Sequence, residues 1–395
     1  MNIDRYEDYG KNLYLSAQNV VFGMLIATKK LLEKINNDPT NVTNYKKAYI
    51  TEVTTIAKTF NKDWKSWANK DLAKAYIAGI NHAKADLRYN NLSASIIKKI
   101  TNGSFLIESP PPIAIPALSS ETLSLFKNIS EHVPFYKTFR DAAYYNLDNQ
   151  PIQILRKAED IYRNAAIQAG EKYFKEGDIY TRIKYSQEMM DQLAKQGIQT
   201  ITYKNGAKYS IDTYCEMVGR TVSGRCSLQA NLNRYAEGGY TLVVVSSHFR
   251  ACELCTPYEG ITLSIERHPV YESIDDAETQ GLFHPNCKHD VSLWFEGKEP
   301  LPPRVDKAEQ DLIDQYGYNE AQKISYNAQL RQRQIERNIR NWKRRSVGSL
   351  DNNVKNIADN KVKYWQKEQR EHLKDNKFLN RNYVREQIGR HIRKE

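Results

Sequence analysis

The residues best suited to chemistry gather in one stretch, Ser246-Ser247-His248-Phe249-Arg250-Ala251-Cys252-Glu253-Leu254-Cys255-Thr256-Pro257-Tyr258-Glu259-Gly260, answered by Phe283-His284-Pro285-Asn286-Cys287-Lys288-His289. A Cys-x-x-Cys turn lets two thiolates face one ion, and the later His-x-x-Cys-x-His offers the remaining donors of a tetrahedral Zn²⁺ site. The most natural ligands are Cys252, Cys255, Cys287 and either His289 or His284, with a structural zinc as the expected cofactor. Three of the five cysteines and four of the eight histidines fall between residues 246 and 289. In a reducing compartment an odd, clustered set of this kind points to metal before disulfides. The plainer alternative is a packed cluster without metal, since cysteine is commonly buried and His-Pro occurs in ordinary turns.

A catalytic metal would need an open position and a nearby acid or base, which Glu259 or Glu253 could supply, and His248 is a surplus donor. The order of elements does not match the zinc deaminases, whose His-x-Glu precedes Pro-Cys-x-x-Cys, nor the His-Glu-x-x-His of zinc proteases. No Gly-rich phosphate loop or nucleophile elbow stands elsewhere. The expectation is therefore a protein that is not an enzyme, with no catalytic residue and no small-molecule substrate.

Elements around the cluster must position it. Tyr240 to Val245 is short and β-branched and reads as a buried strand leading into the first Cys pair. Val291, Leu293 and Phe295 alternate with Ser292 and Trp294, as a closing strand would. Upstream, Asp212 is placed to cap a helix that ends at Gly238-Gly239. Cys215 and Cys226 lie on it and read as core residues. Asn205-Gly206 between Ile198–Tyr203 and Lys208–Ile211 marks a hairpin, and Pro151 to Glu176 reads as one long helix closing at Gly177. Leu13, Val20, Met24, Leu31, Leu32 and Ile35 recur at helical spacing until Asn36-Asn37-Asp38-Pro39 breaks the pattern. Four prolines between Glu108 and Pro116, then Pro300, Pro302 and Pro303, mark two connectors.

The chain has 395 residues and a net charge of +11. The excess belongs to its end: residues 323–395 hold 20 Lys/Arg and 8 Asp/Glu, so this part nets +12 and the rest about −1. In the tail, Ile335, Ile339 and Trp342 keep helical spacing beside Arg333, Arg337, Arg340, Lys343, Arg344 and Arg345. That pattern suits a basic face for nucleic acid with an apolar seam for a neighbour, or else a charged, solvated helix with pairs such as Glu336 and Arg340. Tyr364 and Trp365 could stack on bases or pack. Glu216, Arg220 and Glu259 could form a buried ion pair near the metal or belong to an exposed helix surface. The first residues carry acids where an export signal would want basic and apolar ones. The longest apolar run, Val20 to Ala27, is far short of the ~20 residues that cross a bilayer. No membrane partner is expected.

The run from Asp212 to Ser264 resembles the phage minor capsid protein 2 family and, more distantly, the head-morphogenesis proteins of Mu-like phages. The likeness rests on Tyr214-Cys215-Glu216-Met217-Val218-Gly219-Arg220-Thr221, Cys252-Glu253-Leu254-Cys255, Tyr258-Glu259-Gly260 and His284-Pro285-Asn286-Cys287-Lys288-His289. It extends over about residues 150–395, including the Arg331–Arg345 run and Arg385-Glu386-Gln387-Ile388-Gly389-Arg390. The family often has Trp where Tyr258 stands and Arg where Lys288 stands, and some relatives replace the first Cys pair, which keeps His248 as an alternative ligand. The resemblance implies a low-copy protein of the phage head, associated with the portal and with genomic DNA.

The expected fold is thus mainly α, with a helical N-terminal region (1–118), a small α+β, zinc-stabilised central domain (119–300) and long basic C-terminal helices (301–395). The expected function is that of a tailed-phage minor capsid protein: a structural component of the virion, at the capsid interior or portal vertex and assembled in the host cytoplasm. Its expected partners are the portal protein, other head proteins and, through the basic tail, genomic DNA. An injected enzyme or toxin-like effector using the Cys/His/Glu pocket is the alternative, and a host zinc-binding DNA protein a third reading.

Overall fold

A computed structural model describes residues 5–90, 115–203, 205–298 and 305–389. Most of the first proline connector and all of the second lie outside them. In chain order the elements are α1 (Arg5–Asn37), α2 (Val42–Ser66), α3 (Leu72–Tyr89), α4 (Ser120–Leu125), α5 (Val133–Leu147), α6 (Gln150–Gly170), α7 (Lys172–Glu176), α8 (Ile179–Gln196), β1 (Gln199–Thr202), β2 (Lys208–Ser210), α9 (Ile211–Glu237), β3 (Leu242–Val245), β4 (Thr262–Ser264), α10 (Ile274–Thr279), β5 (Val291–Leu293), α11 (Lys307–Tyr316), α12 (Tyr318–Gly348) and α13 (Asn352–Asp375). The protein is mainly helical with small antiparallel sheets. Among the described residues no helix is long and apolar enough to cross a membrane.

Local chemistry explains many boundaries. The side chains of Asp178, Ser273 and Asp351 accept from the first free amides of α8, α10 and α13, and Asp306 with Glu309 forms a reciprocal capping box on α11. Asn205-Gly206 does make the hairpin turn, Gly206 taking φ 81°.

Four readings of the sequence need correction. The long helix expected over 151–176 breaks at Glu171, whose backbone is extended (φ −67°, ψ 143°). Asp212 lies inside the first turn of α9 rather than before it, and its carboxylate meets Ser210 and Arg344. The closing strand stops at Leu293, and Phe295 is exposed. The tail, expected to be helix almost throughout, ends in an irregular strap over residues 376–389 that contains one short 3₁₀ turn, Tyr383–Glu386.

The chain forms two compact units, 1–12 with 65–147 and 217–327, and 13–64 with 148–216 and 328–395. Each takes residues from all three consecutive segments expected above, because α1, α2, α9 and α12 contribute to both.

In the first unit Tyr76, Phe126 and Tyr136 stack edge and tilt at 5.0–6.4 Å between ring centres. Here α3 lies hard against α9, with Cys226 buried and its thiol directed at the Leu72 carbonyl. The Tyr235 hydroxyl and the Leu293 amide both donate to Asp86, which ties α9 and β5 to α3. The sheet runs β4-β3-β5, so β3 is central, and Val243, Val245, Val291 and Leu293 are buried.

The second unit buries Leu13, Val20, Met24, Leu25 and Leu32 of α1, Cys215 of α9, Ile335 and Ile339 of α12, and Phe378 and Leu379 of the strap. The strap is held largely through its carbonyls: Gln332 donates to Asn380, Lys343 to Glu386, Gln18 to Gln387 and Arg340 to Arg385.

Candidate metal centre and the basic tail

Strand pairing brings the two donor segments together. Val245, the last residue of β3, is opposite Val291, the first of β5. Immediately beyond that pair the Ser246 amide donates to the Asp290 carbonyl at 2.8 Å, and the Asp290 amide to the Ser246 hydroxyl at 2.9 Å. The loop leaving β3 and the segment entering β5 therefore start side by side. In the loop, the Cys252 carbonyl accepts from the amides of Cys255 and Thr256, which folds Cys-x-x-Cys into a knuckle. The other segment turns through two left-handed residues, Phe283 (φ 55°) and Asn286 (φ 69°). Both are pinned from α9: Arg225 donates to the Phe283 carbonyl at 2.9 Å, Arg220 to the Asn286 side chain at 2.9 Å, and the Asn286 amide to Thr221 at 3.1 Å. Backbone strain held in place by packing in this way is a common property of ligand-bearing turns.

All five expected donors meet. Cys252, Cys255 and His284 form one group and Cys255, Cys287 and His289 a second, with the donor atoms of each within 4.8 Å of one another. Cys255 belongs to both. The Cys252 Sγ is 3.0 Å from His284 Nε2, the Cys255 and Cys287 sulfurs are 3.5 Å apart, and Cys287 Sγ is 3.4 Å from His289 Nδ1. The far nitrogen of each ring meets an oxygen: His284 Nδ1 the Pro285 carbonyl at 2.8 Å, and His289 Nε2 the Glu259 carboxylate at 3.2 Å. That is how ligating histidines are oriented in metal sites. Three thiols and two so oriented imidazoles fit Zn²⁺.

His248 stands apart from the donors. Its ring lies 4.6 Å from that of His289, its Nε2 meets the Lys288 carbonyl at 2.9 Å, and burial together with His289 pushes its pKa down to about 3. For His289 burial works against the charged ring, but hydrogen bonds to Cys255 and Glu259 overcome it and raise the pKa to about 9. Its hydrogen bond with Cys255 also raises His284. Contact with Cys287 and burial raise Cys255, burial raises Cys252, and the bond to Cys255 lowers Cys287. An ion bound by these donors would have to displace protons from the cluster.

Glu259 has a use that residue spacing does not suggest. It accepts from His289, from the His248 amide and, at 3.2 Å, from Gln322 of α12. Gln322 carries no local signal and went unnoticed in the sequence, as did Arg225. Glu253 is exposed. Of the acids and cations expected to pair near the metal, Glu216 meets Arg385 at 2.6 Å, and Arg220 holds Asn286 in the donor-bearing turn. A third donor group, Glu131, His132 and Glu237, is engaged by protein oxygens: His132 lies 2.7 Å from Glu237 and 3.0 Å from the Tyr76 hydroxyl.

The phage minor capsid protein 2 family model matches residues 131–374, a span that contains every one of these donors. The chain belongs to the phage minor capsid protein 2 family. A curated protein similar to it is the "Structural protein" of Lactococcus phage LL-H, 26% identical over 230 residues, which cover 53% of this chain and 58% of that protein. The match thus spans little more than half the length of that relative. No solved structure matches. Membership puts this minor capsid protein among the structural proteins of phage virions.

The six tail residues expected to meet nucleic acid are placed unequally in this minor capsid protein. Arg344 is buried against Asp212, Arg345 pairs with Asp191, Arg333 with Glu336, and Arg340 and Lys343 hold strap carbonyls. Arg337 is exposed. Glu336 is buried rather than solvated. Trp365 lies 5.9 Å from the Arg331 guanidinium, and Tyr364 is half exposed beside Lys361.

Proposed function

We propose that this minor capsid protein is a non-catalytic structural component of a tailed-phage head, at the capsid interior or portal vertex. The portal, other head proteins and the genome are its proposed partners. Its Cys/His centre holds one structural Zn²⁺ through Cys252, Cys255, Cys287 and one of His284 and His289. The observation that carries the metal reading is the convergence of five donors, two of them rings oriented from behind, at the abutting ends of β3 and β5. Neither the family match nor the phage relative supports an effector enzyme. Elemental analysis of the purified chain should find about one zinc per molecule. A chain that takes up none under reducing conditions sinks the metal reading while leaving the family membership intact.

The DNA contact is better supported on α13 than on α12. Lys363, Lys367, Arg370 and Lys374 recur at i, i+4, i+7 and i+11 and all are exposed, giving a cationic stripe about 16 Å long. A stripe of this kind can follow a phosphate backbone without reading sequence. Replacing all four by Gln should flatten the dependence of log affinity on log salt by about 3–4. An unchanged slope removes α13 from the interface. Copurification with portal from infected cells tests the protein partners.

A further inference from the structure

We infer that the metal loop is the docking platform for α11 and the start of α12, so that metal loading decides whether this part of the tail is held. The inference rests on the zinc reading above. Three links run from the 248–259 loop to these helices, all within the first unit. Arg250 is 3.2 Å from Glu309, which is itself buried and closes the capping box that starts α11. Phe249 packs edge-on against Tyr318, the first residue of α12, at 5.9 Å. Glu259 accepts from Gln322 one turn further along.

Each link begins close to a donor. Phe249 and Arg250 stand three and two positions before Cys252, and Glu259 bonds His289 through its Oε1 and Gln322 through its Oε2. One carboxylate thus joins a candidate ligand to the helix. The loop itself contains a knuckle and short turns but no strand or α-helix from Ser246 to Ile261, so its shape depends on what ties Cys252 and Cys255 to Cys287 and the two histidines. An ion shared by those donors would set the positions of Arg250, Phe249 and Glu259 together. Loss of the ion frees the loop, and with it the surface on which α11 and the first two turns of α12 rest. The core built on Tyr76 of α3, Phe126 at the end of α4 and Tyr136 of α5 has its own aromatic packing and does not need the loop.

Amide hydrogen exchange on the full chain, zinc-loaded and after chelation, with metal content measured on the same samples, tests this. Stripping zinc should speed exchange over 307–325 by about tenfold or more while α3 and α5 keep their protection. The double variant Arg250→Ala/Gln322→Ala cuts two links without touching a donor. It should keep its zinc, exchange fast over 307–325 and no longer respond to chelation. Equal exchange over 307–325 in loaded and stripped wild-type chain overturns the coupling and leaves the zinc site standing. Loss of protection spreading equally through α3 and α5 also overturns it, making the metal a global clamp. A chain that binds no zinc overturns both readings.

Discussion

Arg344 and Asp212, 132 positions apart in the chain, form an ion pair in which both side chains are almost wholly buried. Burial alone would raise the Asp212 carboxyl, but Arg344 and the Ser210 hydroxyl outweigh it and hold the pKa below the usual range. A cation that looks in sequence like part of a nucleic-acid face is thus committed to the inside of the second unit. Removing one member of a buried pair leaves the other charged and unpaired.

Arg344→Ala should therefore destabilise the protein by about 3–5 kcal/mol, whereas exposed Arg337→Ala should stay within about 0.5 kcal/mol. Denaturant unfolding at pH 7 measures both. Because the Asp212 pKa is depressed, the stability it contributes is present above the ordinary carboxylate range and is lost as pH falls through the folded value. The gap between wild type and Arg344→Ala should narrow in acid. Equal losses for the two variants would mean that the buried pair is not formed.

Gly79 of α3 marks a close approach to α9: a Cβ there would stand 2.0 Å from the Ser227 carbonyl oxygen. Backbone cannot step aside as a flexible side chain can. Gly79→Ala should cost about 1–3 kcal/mol despite the better helix propensity of alanine, while Gly224→Ala on α9, with open space around it, should be neutral or slightly stabilising. Thermal melts of the two variants decide, and a stable Gly79→Ala would refute the close crossing.

Glu278 has a buried Oε1 without a hydrogen-bond partner among the described residues. Burial raises its carboxyl from 4.5 to about 7, with Arg225 pulling the other way. An acid whose folded pKa is raised stabilises the fold when neutral, so its contribution is complete below about 4.5 and fades as pH climbs through about 7. Glu278→Gln should flatten stability across that window and gain on the order of 2–3 kcal/mol at pH 8. Superimposable pH profiles of mutant and wild type would exclude the buried carboxyl as their cause.

Cys255, the donor common to both groups, should be the most sensitive position of the centre. Cys255→Ser is expected to abolish zinc binding and to lower Tm by roughly 5–10 °C, a loss that chelating the wild type should reproduce. Cys226→Ser, buried away from the cluster, should retain its zinc. A Cys255→Ser chain with full metal content would take Cys255 out of the ligand set.

The donors were legible because their signal is short-ranged: Cys252 and Cys255 sit three positions apart, and Cys287 lies between His284 and His289. The Asn205-Gly206 hairpin and the end of α1 at Asn37 were legible for the same reason, since turn chemistry and capping act within a few residues. The break at Glu171 is not legible in the sequence because Gly170, six residues before the expected last residue Glu176, reads as a tolerated glycine within a helical pattern. Nothing local to Gln322 announces that its amide will meet Glu259, 63 residues earlier.

By itself the sequence determined a mainly helical chain, the strand that enters the Cys/His cluster, the five residues that gather in that cluster and the sign of the tail's charge. Composition, periodicity and short spacing carry all of these. Tertiary structure alone decided what each charge faces. It turned Arg333, Arg340, Lys343, Arg344 and Arg345 toward carboxylates and strap carbonyls, left the α13 lysines exposed, and drew Glu259 into contact with His289 and α12. Helical periodicity reports which side of a helix is apolar and how its charges are spaced, but a charge becomes a buried partner or a surface group only when distant segments pack against it.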